Sequence, residues 1–280
     1  MKNLLTIAAL ALSTLLLAPS LQAQTLTKKW ESDTLLQVPE SVLFDASTNS
    51  LYAACINGQP WGVDGNGYVA KLSPEGKITT LKWATGFDAP KGMGISGGKM
   101  YLADVTKIRV IDLKTGKLET TLEPQGAKQL NDVSAGPDGT VYVTDMGRSM
   151  ILQVKNGQVS TFLEDKTLER PNGVRAVGKR MFVVDAGKGI FYEIMSDKSL
   201  RKIAEGMPSG DGIEPVGNDF LLSRWAGVIN YCTADGKLTK LLDTEAQKIN
   251  AADIGYDPKT RMVFVPTFFK NSVVAYELSK

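Results

Sequence analysis

Short apolar runs rich in β-branched and aromatic residues alternate with polar turns along most of the chain. Residues 100–104 (MYLAD), 141–145 (VYVTD) and 181–185 (MFVVD) show the pattern, with Gly, Asp, Asn or Pro close by. Runs of this kind between turn-forming residues are typical of β-strands. The pattern therefore predicts an all-β protein built from many short strands.

The strand patterns fall into six repeats, and each repeat opens on a polar residue. The leading residues are Glu40, Lys91, Asn131, Asn172, Asp211 and Asp253, at spacings of 51, 40, 41, 39 and 42 positions. A unit of about 40 residues with four short strands is typical of one β-propeller blade. We therefore predict a single six-bladed β-propeller domain over residues 24–280, with four antiparallel strands in each blade.

Closure of the ring is predicted from the two ends of the repeat region. The last repeat ends after three strand patterns, whereas residues 25–36 precede the first repeat and belong to none. We expect this N-terminal strand to complete the last blade, which leaves no unpaired sheet edge between the ends. An open β-sandwich or a two-domain arrangement is the alternative, but no linker or break in composition supports it.

The first residues have the layout of an export signal. Lys2 precedes an apolar run over residues 4–17, and Leu21-Gln22-Ala23 follows it. This layout predicts a secretory signal peptide over residues 1–23 that is cleaved after Ala23. The run is short for a membrane span, and an uncleaved anchor is the alternative. We expect a periplasmic or secreted protein with no membrane span after cleavage.

Composition excludes several classes of function. Lys and Arg number 32 against 30 Asp and Glu, so the net charge of +2 lacks the basic excess that nucleic-acid binding requires. The chain has no histidine, which excludes Ser-His-Asp and Cys-His catalysis and His-ligated zinc. Cys55 and Cys232 lie far apart in the sequence, and two buried free thiols are favoured over a disulfide.

The six leading residues predict a polar ring at one mouth of the central channel, because the first strand of each propeller blade runs along that channel. Five of the six carry a side-chain oxygen, and Lys91 is the exception. Carboxylates in a narrow channel are unfavourable unless they are neutralised. A hard divalent cation such as Ca²⁺ prefers carboxylate and amide oxygens. The alternative is that these residues only cap strands and hold channel water.

Loops between the second and third strands of each repeat should return to the same mouth. They carry Trp61 and Asp64, Met146 and Arg148, Trp225, and Phe268 with Lys270. The first repeat has a Gly-rich excess at residues 56–66, which is either a lid over the site or a neutral insertion. Aromatic and arginine side chains around a polar pit suit a small ligand such as a sugar acid or lactone.

Three aspartates end their second strands at equivalent places, namely Asp104, Asp145 and Asp185. Aspartate at such a position more often accepts hydrogen bonds from turn backbone than it binds a ligand. We therefore expect these three side chains to be structural.

Four stretches resemble the family of gluconolactonase, regucalcin (senescence marker protein) and luciferin-regenerating enzyme. They are Pro-Glu-Ser-Val-Leu-Phe-Asp at 39–45, Leu-Asn-Asp-Val with Gly-Pro-Asp-Gly within 130–139, Arg-Pro-Asn-Gly-Val at 170–174 and Gly-Asp-Gly-Ile at 210–213. The resemblance covers nearly all of the mature chain, in order. It implies a six-bladed propeller whose divalent ion, usually Ca²⁺, is held in the channel by a Glu, an Asn and an Asp.

The resemblance also implies roles for individual residues. By motif, the ion ligands fall on Glu40, Asn172 and Asp211, and Asp211 is also implied as the catalytic base. A second family asparagine, which contacts ion-bound water or substrate, falls on Asn131. Because the lactonases of this family hydrolyse sugar lactones, a small lactone or sugar acid is the implied partner.

The sequence departs from the family at two places that concern the substrate. An arginine that contacts substrate in family lactonases is replaced by Gln129, and Lys91 puts an ammonium group on the ring. The predicted substrate-binding residues are Asn131, Lys91, Gln129, Arg148, Trp225 and Trp61, with Asp253 as a further residue of the channel mouth.

Two functions follow from these predictions. The first is an exported, divalent-metal-dependent hydrolase of small lactones, in which the ion polarises the ester carbonyl. The second is a non-catalytic module that uses the same mouth to bind a small ligand, a glycan or a protein. The retained ion ligands favour the first function, whereas Gln129 and Lys91 favour the second.

Overall fold

The computed structural model describes residues 24–279, and it shows the predicted six-bladed β-propeller. Twenty-four strands form six antiparallel sheets of four strands each. Among the described residues the only helical element is a 3-10 turn at Phe268–Lys270. None of these residues belongs to a helix that is long and apolar enough to cross a membrane. The predicted signal peptide at residues 1–23 lies outside the described residues.

The strands follow one another in chain order from the channel outward. Blade 1 contains β2 (Pro39–Asp45), β3 (Ser50–Cys55), β4 (Gly67–Leu72) and β5 (Ile78–Phe87). Blade 2 contains β6 (Pro90–Ser96), β7 (Lys99–Asp104), β8 (Lys107–Asp112) and β9 (Leu118–Leu122). Blade 3 contains β10 (Leu130–Ala135), β11 (Val141–Asp145), β12 (Met150–Lys155) and β13 (Gln158–Glu164).

The remaining strands form the other half of the ring. Blade 4 contains β14 (Pro171–Val177), β15 (Arg180–Asp185), β16 (Ile190–Ile194) and β17 (Leu200–Glu205). Blade 5 contains β18 (Gly210–Val216), β19 (Asp219–Arg224), β20 (Val228–Cys232) and β21 (Leu238–Asp243). Blade 6 contains β22 (Gly255–Asp257), β23 (Met262–Pro266), β24 (Val273–Leu278) and β1 (Leu26–Glu31).

Blade 6 closes the ring in the way the sequence predicts. Strand β1 pairs antiparallel with β24, from Leu26 opposite Leu278 to Glu31 opposite Val274. Beyond the strands, Thr25 N–H donates to Ser279 Oγ at 2.9 Å, and Ser279 N–H donates to the Thr25 carbonyl at 2.9 Å. The last sheet therefore depends on both ends of the chain.

Apolar side chains pack between neighbouring blades and hold the ring together. Phe182 and Phe191 of blade 4 contact Phe220 of blade 5, with ring centroids 4.7 and 5.1 Å apart. All three are buried. Burial of a side chain of this size stabilises the fold by about 1.5–3 kcal/mol. The core is thus a set of clusters between blades, and the channel is left to polar groups.

A β-bulge recurs where five of the blades begin at the channel. On β14, Pro171 pairs with Asp185 and Val174 with Val183, so the inner strand carries one extra residue. The same shift occurs at the start of β2, β6, β10 and β18. The residues at the bulges include Glu40, Lys91, Asn131, Asn172 and Asp211. Because a bulge re-aims a side chain, it directs these polar groups to the channel mouth.

Glycine lets neighbouring inner strands approach one another closely. A Cβ atom on Gly173 would lie 1.9 Å from the carbonyl oxygen of Asp211, and one on Gly212 would lie 2.6 Å from the amide nitrogen of Ile254. These contacts leave no room for any side chain. The channel is therefore narrow just below the polar ring.

The two cysteines are free and buried in different blades, as the sequence favours. Cys55 ends β3 and Cys232 ends β20. Burial raises the pKa of each thiol to about 12, which makes both of them poor nucleophiles. Neither cysteine lines the cavity described below.

Candidate active site

One mouth of the channel opens into a cavity of about 380 Å³, which collects most of the predicted site. Its walls are formed by Glu40, Pro60, Trp61, Lys91, Asn131, Met146, Arg170, Asn172, Ala186, Ser209, Asp211, Trp225 and Phe268. All five residues at the bulges are present, and each of their side chains is buried. The structure thus brings Glu40, Asn172 and Asp211 together, together with Asn131 and Lys91.

Two of the three predicted ion ligands, Glu40 and Asn172, each have a buried oxygen atom without a hydrogen-bond partner. Asn172 Nδ2 donates to Asp211 Oδ1 at 3.0 Å and to the Gly210 carbonyl at 3.2 Å. This fixes the amide but leaves Asn172 Oδ1 without a hydrogen bond, and Glu40 Oε2 is also buried without one. An unsatisfied buried oxygen is costly, and a hard cation is the partner that carboxylate and amide oxygens together suit. The donor set therefore fits a divalent ion of the Ca²⁺ type.

Burial makes the two acids of this set retain protons more strongly than usual. Desolvation raises the pKa of Glu40 to about 7, with the Lys91 charge opposing the rise. Desolvation also raises the pKa of Asp211 well above its ordinary value, and the charges of Glu40 and Asp253 add to this effect. A cation would supply the missing counter-charge. We therefore expect protons and metal to compete for this site.

The ring contains one cation of its own. Lys91 is 2% exposed, and its ammonium lies over the Trp61 ring at 4.7 Å from the centroid. It forms no ion pair with any carboxylate of residues 24–279. Desolvation lowers the pKa of Lys91, whereas the negative charges of Glu40 and Asp211 oppose that change. Lys91 is thus a desolvated amine held on an aromatic face beside the acids.

Backbone strain next to Glu40 helps to fix its position. Val38 has φ of 51°, a conformation that β-branched residues rarely adopt. Its amide donates to Asn271 Oδ1 at 2.9 Å, and its carbonyl accepts from Ile56 N–H at 3.0 Å. These bonds hold Val38 in the left-handed region two residues before Glu40. The strain is an example of the backbone distortion found at functional sites.

Asp253, the sixth leading residue, does not lie on the cavity wall. It accepts a hydrogen bond from Ser41 Oγ at 2.7 Å, and its backbone bonds to Glu40 and Val42 across the junction of blades 1 and 6. Desolvation raises the pKa of Asp253 to about 6. Asp132, which the sequence reasoning did not single out, is also a buried acid whose pKa burial raises. Both acids stabilise the channel through hydrogen bonds.

Loops around the mouth supply the apolar part of the wall. The Gly-rich insertion of blade 1 reaches the cavity through Pro60 and Trp61. Trp225 packs edge-on against Phe268 with their centroids 5.4 Å apart. Two predicted aromatic residues, Trp61 and Trp225, therefore border the cavity. Asp64 accepts the amide of Asn66 in the loop itself and is absent from the wall.

Two polar residues predicted to bind substrate lie outside the wall. Arg148 donates from Nη1 to the Gln125 carbonyl at 2.9 Å and borders a different surface cavity. Gln129 is not among the wall residues, and its Oε1 is 3.5 Å from Arg170 Nη2. Arg170 itself lines the cavity and was missed as a site residue. Its position directly before Pro171, which begins β14, is the signal that could have revealed it.

The aspartates that end the second strands have structural roles. Asp185 accepts backbone N–H groups from Glu169, Arg170 and Gly187 at 2.8–3.0 Å. Asp145 receives the amides of Lys128, Gln129 and Gly147 in the same way. Asp104 accepts from Asp88 and Ala89. These bonds fasten the loop that precedes each inner strand and so position the residue at its bulge.

The comparison with protein families identifies the class. The model of the SMP-30/Gluconolactonase/LRE-like region matches residues 38–214, which is more than half of the chain. The chain therefore belongs to this family. Membership supports lactone hydrolysis as the class of activity, and members of the family generally depend on a divalent metal. Within the described residues, no group of three His, Cys, Asp or Glu side chains could hold a metal ion. The candidate set has two acids, Glu40 and Asp211, and its third member is the amide of Asn172.

Solved structures share the fold at low identity. A gluconolactonase from Xanthomonas campestris superposes with a TM-score of 0.68 at 15% identity, over 88% of each chain. A luciferin-regenerating enzyme gives 0.64 at 14% identity, over 92% of this chain and 96% of the other. Virginiamycin B lyase from Staphylococcus aureus gives 0.66 at 14% identity, over 92% and 100%. A search of curated proteins found no match to the sequence.

Proposed function

We propose that this protein is an exported, divalent-metal-dependent hydrolase of small lactones. The observation that carries the proposal is the pair of buried, unpartnered oxygens, Glu40 Oε2 and Asn172 Oδ1, beside Asp211 in an open cavity. Ca²⁺ is the ion that this oxygen set suits best. Export rests on the predicted signal peptide at residues 1–23.

The chain's own residues have distinct parts in the proposed reaction. An ion held by Glu40, Asn172 and Asp211 would supply polarisation of the ester carbonyl and stabilisation of the negative charge that develops there. Asp211 would accept the proton of the attacking water and return it to the ring oxygen that leaves when the lactone C–O bond breaks. Asn172 holds that carboxylate in place through its 3.0 Å hydrogen bond.

The other wall residues bind and orient the substrate. Asn131 donates to the Met146 sulfur at 2.8 Å, which fixes its amide beside the acids. Trp61 and Trp225 line the cavity and offer apolar faces for the ring of a lactone. Substrate binding there displaces water from around Asp211 and strengthens its electrostatic effect.

The absence of histidine separates this proposal from the chemistry of one structural neighbour. Virginiamycin B lyase is catalytically inactive when one of its histidines is replaced by alanine. This chain has no histidine at all. A reaction that depends on an imidazole is therefore unavailable to it, whereas carboxylate-based hydrolysis is not.

A direct test combines ion binding with turnover. Calorimetry would measure Ca²⁺ affinity, and a pH-indicator assay would measure hydrolysis of a panel of lactones with and without chelator. Asp211→Ala and Asn172→Ala should each lose at least about ten-fold in ion affinity and most of the turnover. Asp197→Ala, in an outer turn of blade 4, is the matched control and should retain both.

The second candidate function is a non-catalytic binding module. It is supported by Lys91, whose ammonium lies in the ring without a carboxylate partner in the described chain. Ion binding without turnover on any lactone would favour a non-catalytic binding module. Turnover that survives in both the Asp211 and Asn172 variants would contradict the proposed catalytic set. Mass analysis of the exported protein, with Gln24 as the expected first residue, tests the export.

A further inference from the structure

Arg170 is built into the cavity by a rigid backbone. Its N–H donates to Asp185 Oδ1 at 3.0 Å, and its carbonyl accepts from Ala186 N–H at 2.9 Å. Asp185 is fully buried, and the backbone N–H and carbonyl of Arg170 are both held by hydrogen bonds. The next residues in the chain are Pro171 and Asn172. The guanidinium is thereby placed on the same wall as a candidate ion ligand.

The guanidinium of Arg170 has no anionic partner within residues 24–279. Its one side-chain contact is with the neutral amide of Gln129, with Nη2 3.5 Å from Oε1. In this it differs from Arg109, which pairs with Asp104 at 2.7 Å, and from Arg175, which pairs with Glu214 at 2.7 Å. Arg170 is exposed and lines the cavity, so its guanidinium has hydrogen-bond donors available to a ligand there.

The charges on the cavity wall favour a negatively charged ligand. Glu40 and Asp211 are acidic, and Lys91 and Arg170 are basic, so the wall alone is close to neutral. A divalent ion at the acids would give the wall a net charge of plus two. A neutral substrate would leave the excess uncompensated, whereas an anionic one would not.

We propose that the cavity takes lactones that carry a free carboxylate, and that Arg170 is the residue that determines this specificity. This inference rests on the proposed lactonase function. Guanidinium and carboxylate groups match in shape, and their paired hydrogen bonds are stronger than those of neutral groups. The lactone carbonyl lies at the Glu40, Asn172 and Asp211 end, and the carboxylate lies at Arg170. Gln129 acts as a positioning residue for that guanidinium.

The test compares two lactones that differ in one carboxylate. The γ-lactone of glucaric acid carries the group, and the γ-lactone of gluconic acid, which has a hydroxymethyl group in its place, is neutral. The wild-type protein should prefer the former in kcat/KM. Arg170→Gln should raise KM for the charged lactone at least about ten-fold while changing kcat/KM for the neutral one less than about three-fold. Arg170→Lys should recover only part of the preference, and Arg201→Gln, on the outer strand β17, is the matched arginine control.

The outcomes separate this inference from the proposed function. Three results would each overturn the inference and leave lactone hydrolysis standing. They are equal kcat/KM for both lactones, an equal loss on both lactones in Arg170→Gln, and loss of the preference in Arg148→Gln instead. If neither lactone is hydrolysed, binding of glucarate and gluconate is measured by tryptophan fluorescence. If the wild-type protein binds glucarate, the dianion, more tightly than gluconate and Arg170→Gln abolishes that preference, the inference is supported without catalysis. Equal binding of glucarate and gluconate overturns it.

Discussion

Asn172 donates its side-chain amide to Asp211 Oδ1 across the junction of blades 4 and 5, and the 3.0 Å bond leaves its own oxygen unpartnered. The amide does two things that a carboxylate at this position could not do together. It stabilises the ionised form of Asp211, and it offers a neutral oxygen to a cation without adding another negative charge.

Replacement of that amide by a carboxylate should make the protein dependent on metal. In Asn172→Asp the donor is lost and two acids face each other, so the metal-free protein should melt at a lower temperature at neutral pH than the wild type. Added Ca²⁺ should raise the melting temperature of the variant more than that of the wild type. Thermal melts with chelator and with Ca²⁺ measure both effects.

Asn131→Asp is the comparison variant, because Asn131 donates to the Met146 sulfur and not to an acid. Its metal-free melting temperature should fall less. An equal fall in both variants would show that the Asn172–Asp211 bond has no special part in holding the acid.

Removal of the Lys91 charge should strengthen ion binding. The ammonium and a divalent ion would share one desolvated cavity, where like charges repel strongly. Lys91→Met should therefore raise Ca²⁺ affinity about ten-fold or more, whereas Lys91→Arg, which keeps the charge, should not. Isothermal calorimetry at neutral pH measures the difference.

Stability provides a check on the same variant. Because Lys91 is buried without an ion pair among the described residues, an apolar side chain of similar length should be tolerated in its place, with little loss of melting temperature. Weaker Ca²⁺ binding in Lys91→Met than in the wild type would mean that the ammonium supports the site and does not oppose the ion.

Glu214 gives the stability of the protein a pH dependence of its own. Burial raises its pKa from 4.5 to about 7, and the nearby Arg175 opposes the rise. The folded state therefore holds a proton that the unfolded chain releases above pH 4.5. The stabilising contribution is complete below that pH and is lost as the pH rises through about 7.

The expected size of this contribution is at most about 3 kcal/mol. Urea unfolding from acid to mildly alkaline pH should show the free energy of unfolding falling more steeply in wild type than in Glu214→Gln. Parallel pH profiles for the two proteins would contradict the assignment. Glu214 is preferable to the acids of the candidate site for this test, because it lies with Arg175 near the other mouth, away from the proposed ion ligands.

Gly173→Ala should damage the fold and the site together. The added methyl group would meet the Asp211 carbonyl at 1.9 Å, and backbone cannot move aside as a flexible side chain can. We expect a loss of about 3 kcal/mol or more in unfolding free energy. Gly94→Ala on β6 is the milder control, because its closest contact is a Val133 methyl group at 3.0 Å. Equal losses in the two variants would contradict this explanation.

The sequence could predict the blades because their signal is repeated and local. Strand patterns and turn residues recur at nearly constant spacing, and the unused strand at residues 25–36 indicated how the ring closes. The ring residues were also accessible, since each opens its repeat. The bulges that direct these residues inward could not be predicted, because they depend on strand register and not on any one residue type.

Side chains that reach the cavity from outside the repeat pattern were harder to predict. Arg148 belongs to a loop expected at the mouth, yet it turns away to the Gln125 carbonyl. Arg170 reaches the wall because Asp185 fixes the loop before β14. Asp253 shares the spacing of the ring but not its place on the wall, since it bonds to Ser41 instead. The hydrogen-bond partner of each of these side chains depends on which groups the fold brings near it, and the local sequence does not give that information.

The repeated bulge makes the mouth modular. Five of the six blades each present one side chain from the same backbone geometry, so an acid, an amide or an amine can be exchanged at one of them without rebuilding its neighbours. Lys91 beside Glu40 already shows how different two such neighbours can be. A protein of this design can acquire new chemistry by single substitutions, while the packing between its blades stays as it was.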